Sequence, residues 1–335
     1  MSSLVNKKIL LFTPSFFGYE LEIANKLRQM GAEVDCFDER PKNNFITKAS
    51  IRINKNLLKR KIISYYEAIF VKTKIKRYDY VFVINIEAML PSLLDRLKQQ
   101  QTSATFILYM WDSLQNKKYT LAYLPFFDNV YSFDETDAKA VPGVKFRPLF
   151  FIDSYAKANI EVPIKNALCF IGTVHSDRYQ LLVKMKKNMD KLSLGSFFFM
   201  FFSSPILFFY KKLIDMRFYR ARFKEFSFRS FPQDKTIQCI SESFAVLDIQ
   251  HPAQAGLTIR TIEALGADKK LITTNAHIKA YDFYNPQNIL VIDRENPVVP
   301  ESFFATPYCM VNPRLKHKYS IEGWVTELFD LKKSN

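Results

Sequence analysis

Two stretches in the second half of the chain carry residues able to hold a charged ligand. Gly172-Thr173-Val174-His175-Ser176-Asp177-Arg178 follows the apolar run 167–171 and sets a histidine and an arginine in a turn between a strand and a helix. Residues 243–275 repeat that arrangement. An apolar run at 244–249 leads to a polar turn with Pro252 and Gly256, then a helix from about 257 to 265 and a second apolar run at 270–274. A helix start leaves backbone N–H groups without intrahelical partners and carries a partial positive charge, so both junctions suit a phosphate. Gly172 and Gly256 allow close approach, and His175 and Arg178 offer donors. Thr258 and Arg260 stand in the first turn of the second helix, and Glu263, one turn on, can accept from a ribose diol. The same spacing fits an ordinary βαβ core, with Glu263 capping or solvated and His175 structural.

The first half offers carboxylates. Asp112, in Trp111-Asp112-Ser113, falls just past the apolar run 105–110, where side chains face the ligand edge of a parallel sheet. There it can act as general base for an attacking hydroxyl if burial tunes its pKa. An Asx-turn or a helix cap is the competing reading. Glu20 is the rival base. Asp134-Glu135-Thr136-Asp137 has its two aspartates three apart, which a helix cap explains, so no metal site is expected.

The elements that position these residues alternate strand and helix. The opening reads as strand 8–13, the turn Pro14-Ser15-Phe16-Phe17-Gly18, helix 19–30 and strand 33–37. It has neither G-x-G-x-x-G nor a Walker lysine, so nothing indicates a dinucleotide oxidoreductase or an ATPase, and turn 15–18 is expected to line an acceptor pocket. Strands follow at 80–85, 105–110 and 130–133, with a helix at 91–99; 144–151 closes a first domain and 152–163 links it to a second. The second has strands at 167–171, 197–202, 244–249, 270–274 and 288–292, and the last helix spans about 320–331. The fold class is therefore α/β with two Rossmann-like, doubly wound domains, at 1–153 and 164–318.

The chain's 335 residues suffice for two cores, and 48% hydrophobic residues, with 32 Phe, fill them. Four cysteines without a C-x-x-C pair argue against a zinc or disulfide framework, and the start lacks a signal-peptide pattern; the expected location is cytoplasmic. A net charge of +15 requires an anionic partner: nucleic acid, a membrane face or a phosphorylated ligand. Basic residues cluster at 52–77 and 211–229, interleaved with apolar ones, which fits a membrane-surface helix better than a phosphate-tracking groove; solvated faces of core helices are the alternative. Residues 192–210 carry no charge but hold Pro205 and several small polar residues, so a strand and then a lipid-touching helix are expected there, rather than a span.

The stretch GLTIRTIEALGADKKLITTN, with FIGTVHSDR before it and YDFYNPQN after it, resembles the donor-binding region of GT-B glycosyltransferases. It is similar in particular to bacterial enzymes of lipopolysaccharide, capsule or exopolysaccharide synthesis. In retaining members a Glu-x7-Glu pattern spans this turn and helix, and its second Glu holds the ribose. Glu263 matches that second Glu, whereas Ala255 stands where the first would be, so retention or inversion stays undetermined. The resemblance implies two domains facing a cleft, with the segment 319–335 packing back towards the first. It implies a nucleotide-sugar donor gripped by Gly172, His175, Arg178, Gly256, Thr258, Arg260 and Glu263, no metal or other cofactor, and closure that excludes water. The acceptor is expected to be a glycan or a lipid-linked glycan at the inner face of the cytoplasmic membrane, where the protein sits peripherally, with no nucleic-acid partner. A nucleotide-sugar epimerase of the same fold, a nucleic-acid-binding protein and an inactive glycan binder are the alternatives.

Overall fold

The computed structural model describes residues 4–157, 162–252 and 254–331. Two compact units divide the chain: the residues up to Pro148 together with those from Ile321 on, and the span Leu149–Ser320. The expected boundaries were 153 and 318, and residues 158–161 of the expected linker lie outside the described residues.

The first unit is a six-stranded parallel sheet. Its strands are β1 (Lys8–Thr13), β2 (Glu33–Asp38), β3 (Tyr80–Ile84), β4 (Thr105–Met110), β5 (Asn129–Ser132) and β6 (Val144–Phe146), in the order β2-β1-β3-β4-β5-β6. Strands covered on both faces read as unbroken apolar runs, and ILLF in β1 and VFVI in β3 are fully buried. One face packs Leu10, Phe12, Val81, Val83, Phe106 and Leu108 against the helices Lys59–Thr73 and Pro91–Gln100. Lys59–Thr73 belongs to the first basic cluster; its apolar stripe (Ile62, Tyr66, Ile69, Phe70) faces this core, so its lysines form a solvated face. The other face holds Phe82 and Tyr109, and the final helix Ile321–Leu328 brings Trp324 onto both, with ring centroids 5.7 and 4.9 Å away.

The second unit has five parallel strands, β7 (Asn166–Thr173), β8 (Ser196–Phe201), β9 (Ser243–Asp248), β10 (Lys270–Thr273) and β11 (Ile289–Val291), in the order β11-β10-β9-β7-β8. The uncharged stretch 192–210 is the edge strand β8 followed by the helix Pro205–Ile214, and no described helix is long and apolar enough to cross a membrane. Within this unit Phe151 packs directly over Gly266, where an added Cβ would come 2.5 Å from the ring.

β6 stops at Phe146, short of the expected 151. Arg147 turns inward instead, fully buried, and its Nε lies 3.0 Å from Glu327 of the last helix segment. Phe151 then pairs with the returning chain through its amide, which donates to the Tyr319 carbonyl at 2.9 Å. The Asp134 side chain caps the short helix Glu135–Ala140 by accepting from the Thr136 amide, while the buried Asp137 accepts from Ser132 Oγ at 2.6 Å and from the Leu114 amide at 2.8 Å.

Candidate functional site

In the second unit β7 opens the sheet; β8 is added on one side of it and β9, β10 and β11 on the other. The carboxyl ends of β7 and β9 thus flank the point where strand order reverses, which is where open α/β sheets bind ligands. The sequence sets its two polar turns at these ends. The loop after β7 carries His175 and leads into the helix Arg178–Lys191; the loop after β9 carries His251 and leads into the helix Ile259–Gly266. The two imidazoles meet, with ring centroids 5.5 Å apart. Ser176, between His175 and Asp177, holds φ at +55°, a left-handed conformation uncommon outside glycine that turns the chain sharply into the helix.

His175 is half-buried, and its Nδ1 lies 3.1 Å from Ser176 Oγ. Burial, with the charge of Arg178 beside it, pushes its pKa down to about 4. At neutral pH it is therefore an uncharged imidazole. Arg178 donates from Nη1 to the Thr173 carbonyl at 2.8 Å, and its buried Nε has no hydrogen-bond partner among the described residues. Gly172 lies within β7, and its missing side chain makes room for the Phe170 ring, 3.0 Å from where a Cβ would stand.

At the second junction Thr258 is the N-cap, its Oγ1 accepting from the Thr261 amide at 3.4 Å and donating to Asp248 Oδ1 at 2.8 Å. Asp248, buried at the end of β9, also accepts from Thr261 Oγ1 at 2.9 Å. The backbone ahead of the helix is fixed from β10, because the fully buried Asn275 donates to the Ala255 carbonyl at 3.0 Å and the Gly256 carbonyl at 3.4 Å. Gln254 donates to the Gly256 carbonyl at 3.0 Å.

Arg260, partly exposed, pairs with the buried Glu263. Arg260 Nη1 is 2.5 Å from Glu263 Oε2, and both interact with Tyr155, whose hydroxyl pKa is pushed well up by burial and by the Glu263 charge. The structure thus brings His175, His251, Arg178 and Thr258 to the strand ends, and pairs Arg260, in the first turn of the second helix, with Glu263 beside Tyr155.

Sequence reasoning assigned no role to Arg294, three residues past β11, which ties the whole edge together. Its guanidinium donates to Asp177 through Nε at 2.6 Å and Nη2 at 3.0 Å, to the Gln250 carbonyl at 2.7 Å and to Thr274 Oγ1 at 3.1 Å. One planar group thereby fixes the loops after β7, β9 and β10. The signal was present, since an arginine just past a buried strand stands at the ligand edge of the sheet.

The first unit reverses strand order between β1 and β3. Its edge presents an aromatic group: Phe16 packs on Phe17 at 4.8 Å and on Trp111 at 5.6 Å, with Phe16 and Phe17 both exposed. Phe17 at φ +50° and Asn85 at φ +52° are strained positions on this same edge. Asp112 is 47% exposed, with Oδ2 accepting from Asn85 Nδ2 at 3.1 Å and standing 3.6 Å from Lys117 Nζ. Lys117 in turn donates to Glu87 at 2.8 Å, and Arg40 lies 3.6 Å from the other Glu87 oxygen. Glu20 accepts from Ser15 Oγ at 2.9 Å and from the Phe16 amide at 3.0 Å, so both its oxygens hold the turn. Glu39 is a further residue the sequence did not disclose. Fully buried, it accepts from the amides of Glu87, Ala88 and Met89 at 2.7–2.9 Å, and burial pushes its carboxyl up to about 8.

No protein-family profile and no curated protein sequence matches the chain. Solved structures do. Sucrose-phosphate synthase from Thermosynechococcus elongatus superposes with a TM-score of 0.65 at 10% identity, covering 97% of this chain and 98% of that one. Anabaena HepE, solved with UDP and glucose, gives 0.58 at 11% identity over 97% and 100%. The UDP-GlcNAc 2-epimerase of Methanocaldococcus jannaschii, solved with UDP-GlcNAc and UDP, gives 0.53 at 10% over 96% and 99%. The chain has the GT-B fold, two parallel-sheet α/β domains, as the resemblance implied. Its structural neighbours are mostly glycosyltransferases, with nucleotide-sugar epimerases among them.

Proposed function

We propose that this protein is a glycosyltransferase that moves a sugar from a nucleotide-sugar donor to a cell-surface polysaccharide or lipid-linked glycan. The observation that carries the reading is the strand-order reversal of the second unit, where His175, His251, Arg178 and two helix starts share one edge. Such an edge suits a diphosphate: amides and Arg178 compensate its charge, and a neutral His175 donates one hydrogen bond. HepE and the archaeal epimerase were solved with UDP, which makes uridine nucleotides the first ligands to try.

In this reading Asp112 takes the proton from the acceptor hydroxyl as that oxygen bonds to the sugar's anomeric carbon. The bond from that carbon to the diphosphate breaks, and its electron pair leaves with the nucleotide. The leaving charge is met by the two helix starts and Arg178 rather than by a metal. Phe16 and Trp111 offer ring faces beside Asp112 on which a sugar's C–H surface can stack. The acceptor in this reading is a cell-surface polysaccharide or a lipid-linked glycan, reached by a protein that works peripherally on the inner face of the cytoplasmic membrane.

A screen of nucleotides and nucleotide sugars by thermal shift tests the donor half, and product analysis with glycan acceptors tests transfer. Asp112→Asn should keep the shift and lose turnover. One observation favours a second reading, a nucleotide-sugar epimerase: the likeness to UDP-GlcNAc 2-epimerases, combined with Ala255 where retaining transferases carry an acid. Conversion of the donor sugar in the absence of any acceptor would select it.

A further inference from the structure

The helix Pro205–Ile214 packs Leu207 and Phe208 on the core but carries most of its apolar residues on the side away from the protein. Phe208 is buried, and Lys211 and Lys212 flank that inner side, with Lys212 Nζ donating to the Ala221 carbonyl at 2.7 Å. The outer side presents Ile206 (82% exposed), Phe209, Tyr210, Leu213 (86% exposed) and Ile214. Spacings of three, four and seven set these side chains next to one another on one face. The following residues extend the patch: Met216, Tyr219 and Phe223 are exposed, and Phe223 stacks on Phe209 with centroids 5.6 Å apart. Residues 205–229 also hold seven Lys and Arg against two acids. Both acids are engaged, Asp215 with Arg217 and Glu225 with the Tyr179 hydroxyl and the Arg222 amide. Arg220, Arg222, Lys224 and Arg229 form an exposed basic rim.

We propose that residues 206–223 are a membrane-contact surface, lying in the interface of an anionic bilayer with the apolar face against the acyl chains. A contiguous exposed apolar face of this kind marks an interaction site rather than ordinary surface. The ten-residue helix is about 15 Å long at 1.5 Å per residue, far too short to span but suited to lying flat at the headgroup level. The rim then meets anionic headgroups, which attract clustered Lys and Arg. A second copy is a poor occupant, because two-fold pairing through this face would set like-charged rims against each other. Nucleic acid is a poor one too, since its phosphates would face aliphatic side chains. The purpose of the surface, access to a lipid-linked acceptor, rests on the transferase reading; its physics does not.

The test is co-sedimentation of the full chain with phosphatidylglycerol-containing vesicles and with pure phosphatidylcholine vesicles, with nucleotide-sugar thermal shifts measured on the same samples. The wild type should bind the anionic vesicles preferentially. Ile206→Glu with Leu213→Glu should weaken that binding about tenfold or more, and Arg220→Glu with Arg222→Glu should remove the preference for anionic lipid. All four side chains are exposed, so unchanged melting temperatures and nucleotide shifts should show that the variants fold. Failure of the wild type to bind anionic vesicles would overturn the proposal, as would unchanged binding by the Ile206/Leu213 variant. A wild-type dimer dissociated by Leu213→Glu would assign the face to a second copy instead. Vesicle binding without any nucleotide-sugar shift would leave the surface standing and count against the transferase reading alone.

Discussion

Arg294, Asp177, Gln250 and Thr274 come from four different strand ends and hold one another within hydrogen-bond distance, so the shape of the candidate site depends on side chains that need not touch a ligand. Arg294→Ala removes the shared donor and leaves Asp177 and Thr274 without it. The expected loss is about 1–3 kcal/mol of stability, read by urea denaturation, with weaker nucleotide binding. Arg294→Lys should restore little of either, because an ammonium cannot reproduce the planar fork. His175 gives a pH signature. Its folded-state pKa near 4 lies below the ordinary 6.5, so between those values the unfolded chain binds the proton and the folded one does not. Stability from this group is therefore complete above pH 6.5 and is lost as pH falls towards 4. A bound diphosphate would raise that pKa, so nucleotide affinity should increase as pH drops through the window, and His175→Asn should flatten both dependences. Melting temperatures with and without nucleotide across this pH range check both slopes.

The helix Ile259–Gly266 shows how an element is held for the site. Thr258 caps it and also reaches Asp248, so Thr258→Ala should cost about 1 kcal/mol in chemical denaturation and loosen the helix start. Gly266 lies against the Phe151 ring with no room for a Cβ, and Gly266→Ala should destabilise the second unit by about 1–3 kcal/mol despite alanine's better helix propensity. Much of this level was legible in the sequence. β1 and β4 fall at the expected residues, and most other strands within one or two, because doubly covered strands are unbroken apolar runs between turns. The end of β6 was misplaced because VKFRPLFF is apolar on both sides of Arg147, and only the distant Glu327 shows why the arginine is buried. Glu39 and Arg294 went unassigned for the same reason, since their partners lie 48–50 and 20–117 residues away and no local pattern records them. Arg260 was assigned from its place in the first turn of a helix, and Glu263 from its place one turn on and from the family resemblance, but spacing alone could not reveal Tyr155 beside them.

On the scale of the molecule, the chain leaves the first unit after Pro148 and returns to it at Ile321, so its last described helix covers a face of a sheet begun some 300 residues earlier. Trp324 is fully buried between Phe82 and Tyr109, and Trp324→Ala should cost the first unit about 3–5 kcal/mol. Hydrogen exchange of peptides from each unit across a urea titration should show the first unit's protection falling at lower urea while the second unit's stays in place. Donor binding is proposed for the second unit, where two loops from opposite sides of a strand-order reversal meet at one edge. Its most direct test is the thermal shift of wild type and of an Arg178→Ala/Thr258→Ala variant against a panel of nucleotide sugars. At a ligand concentration 100 times Kd, stabilisation should reach about 2.7 kcal/mol for the wild type with at least one member of the panel. The same ligand should leave the variant's melting temperature unmoved. A wild type that no nucleotide or nucleotide sugar stabilises, or a variant that keeps the full shift, would contradict the account.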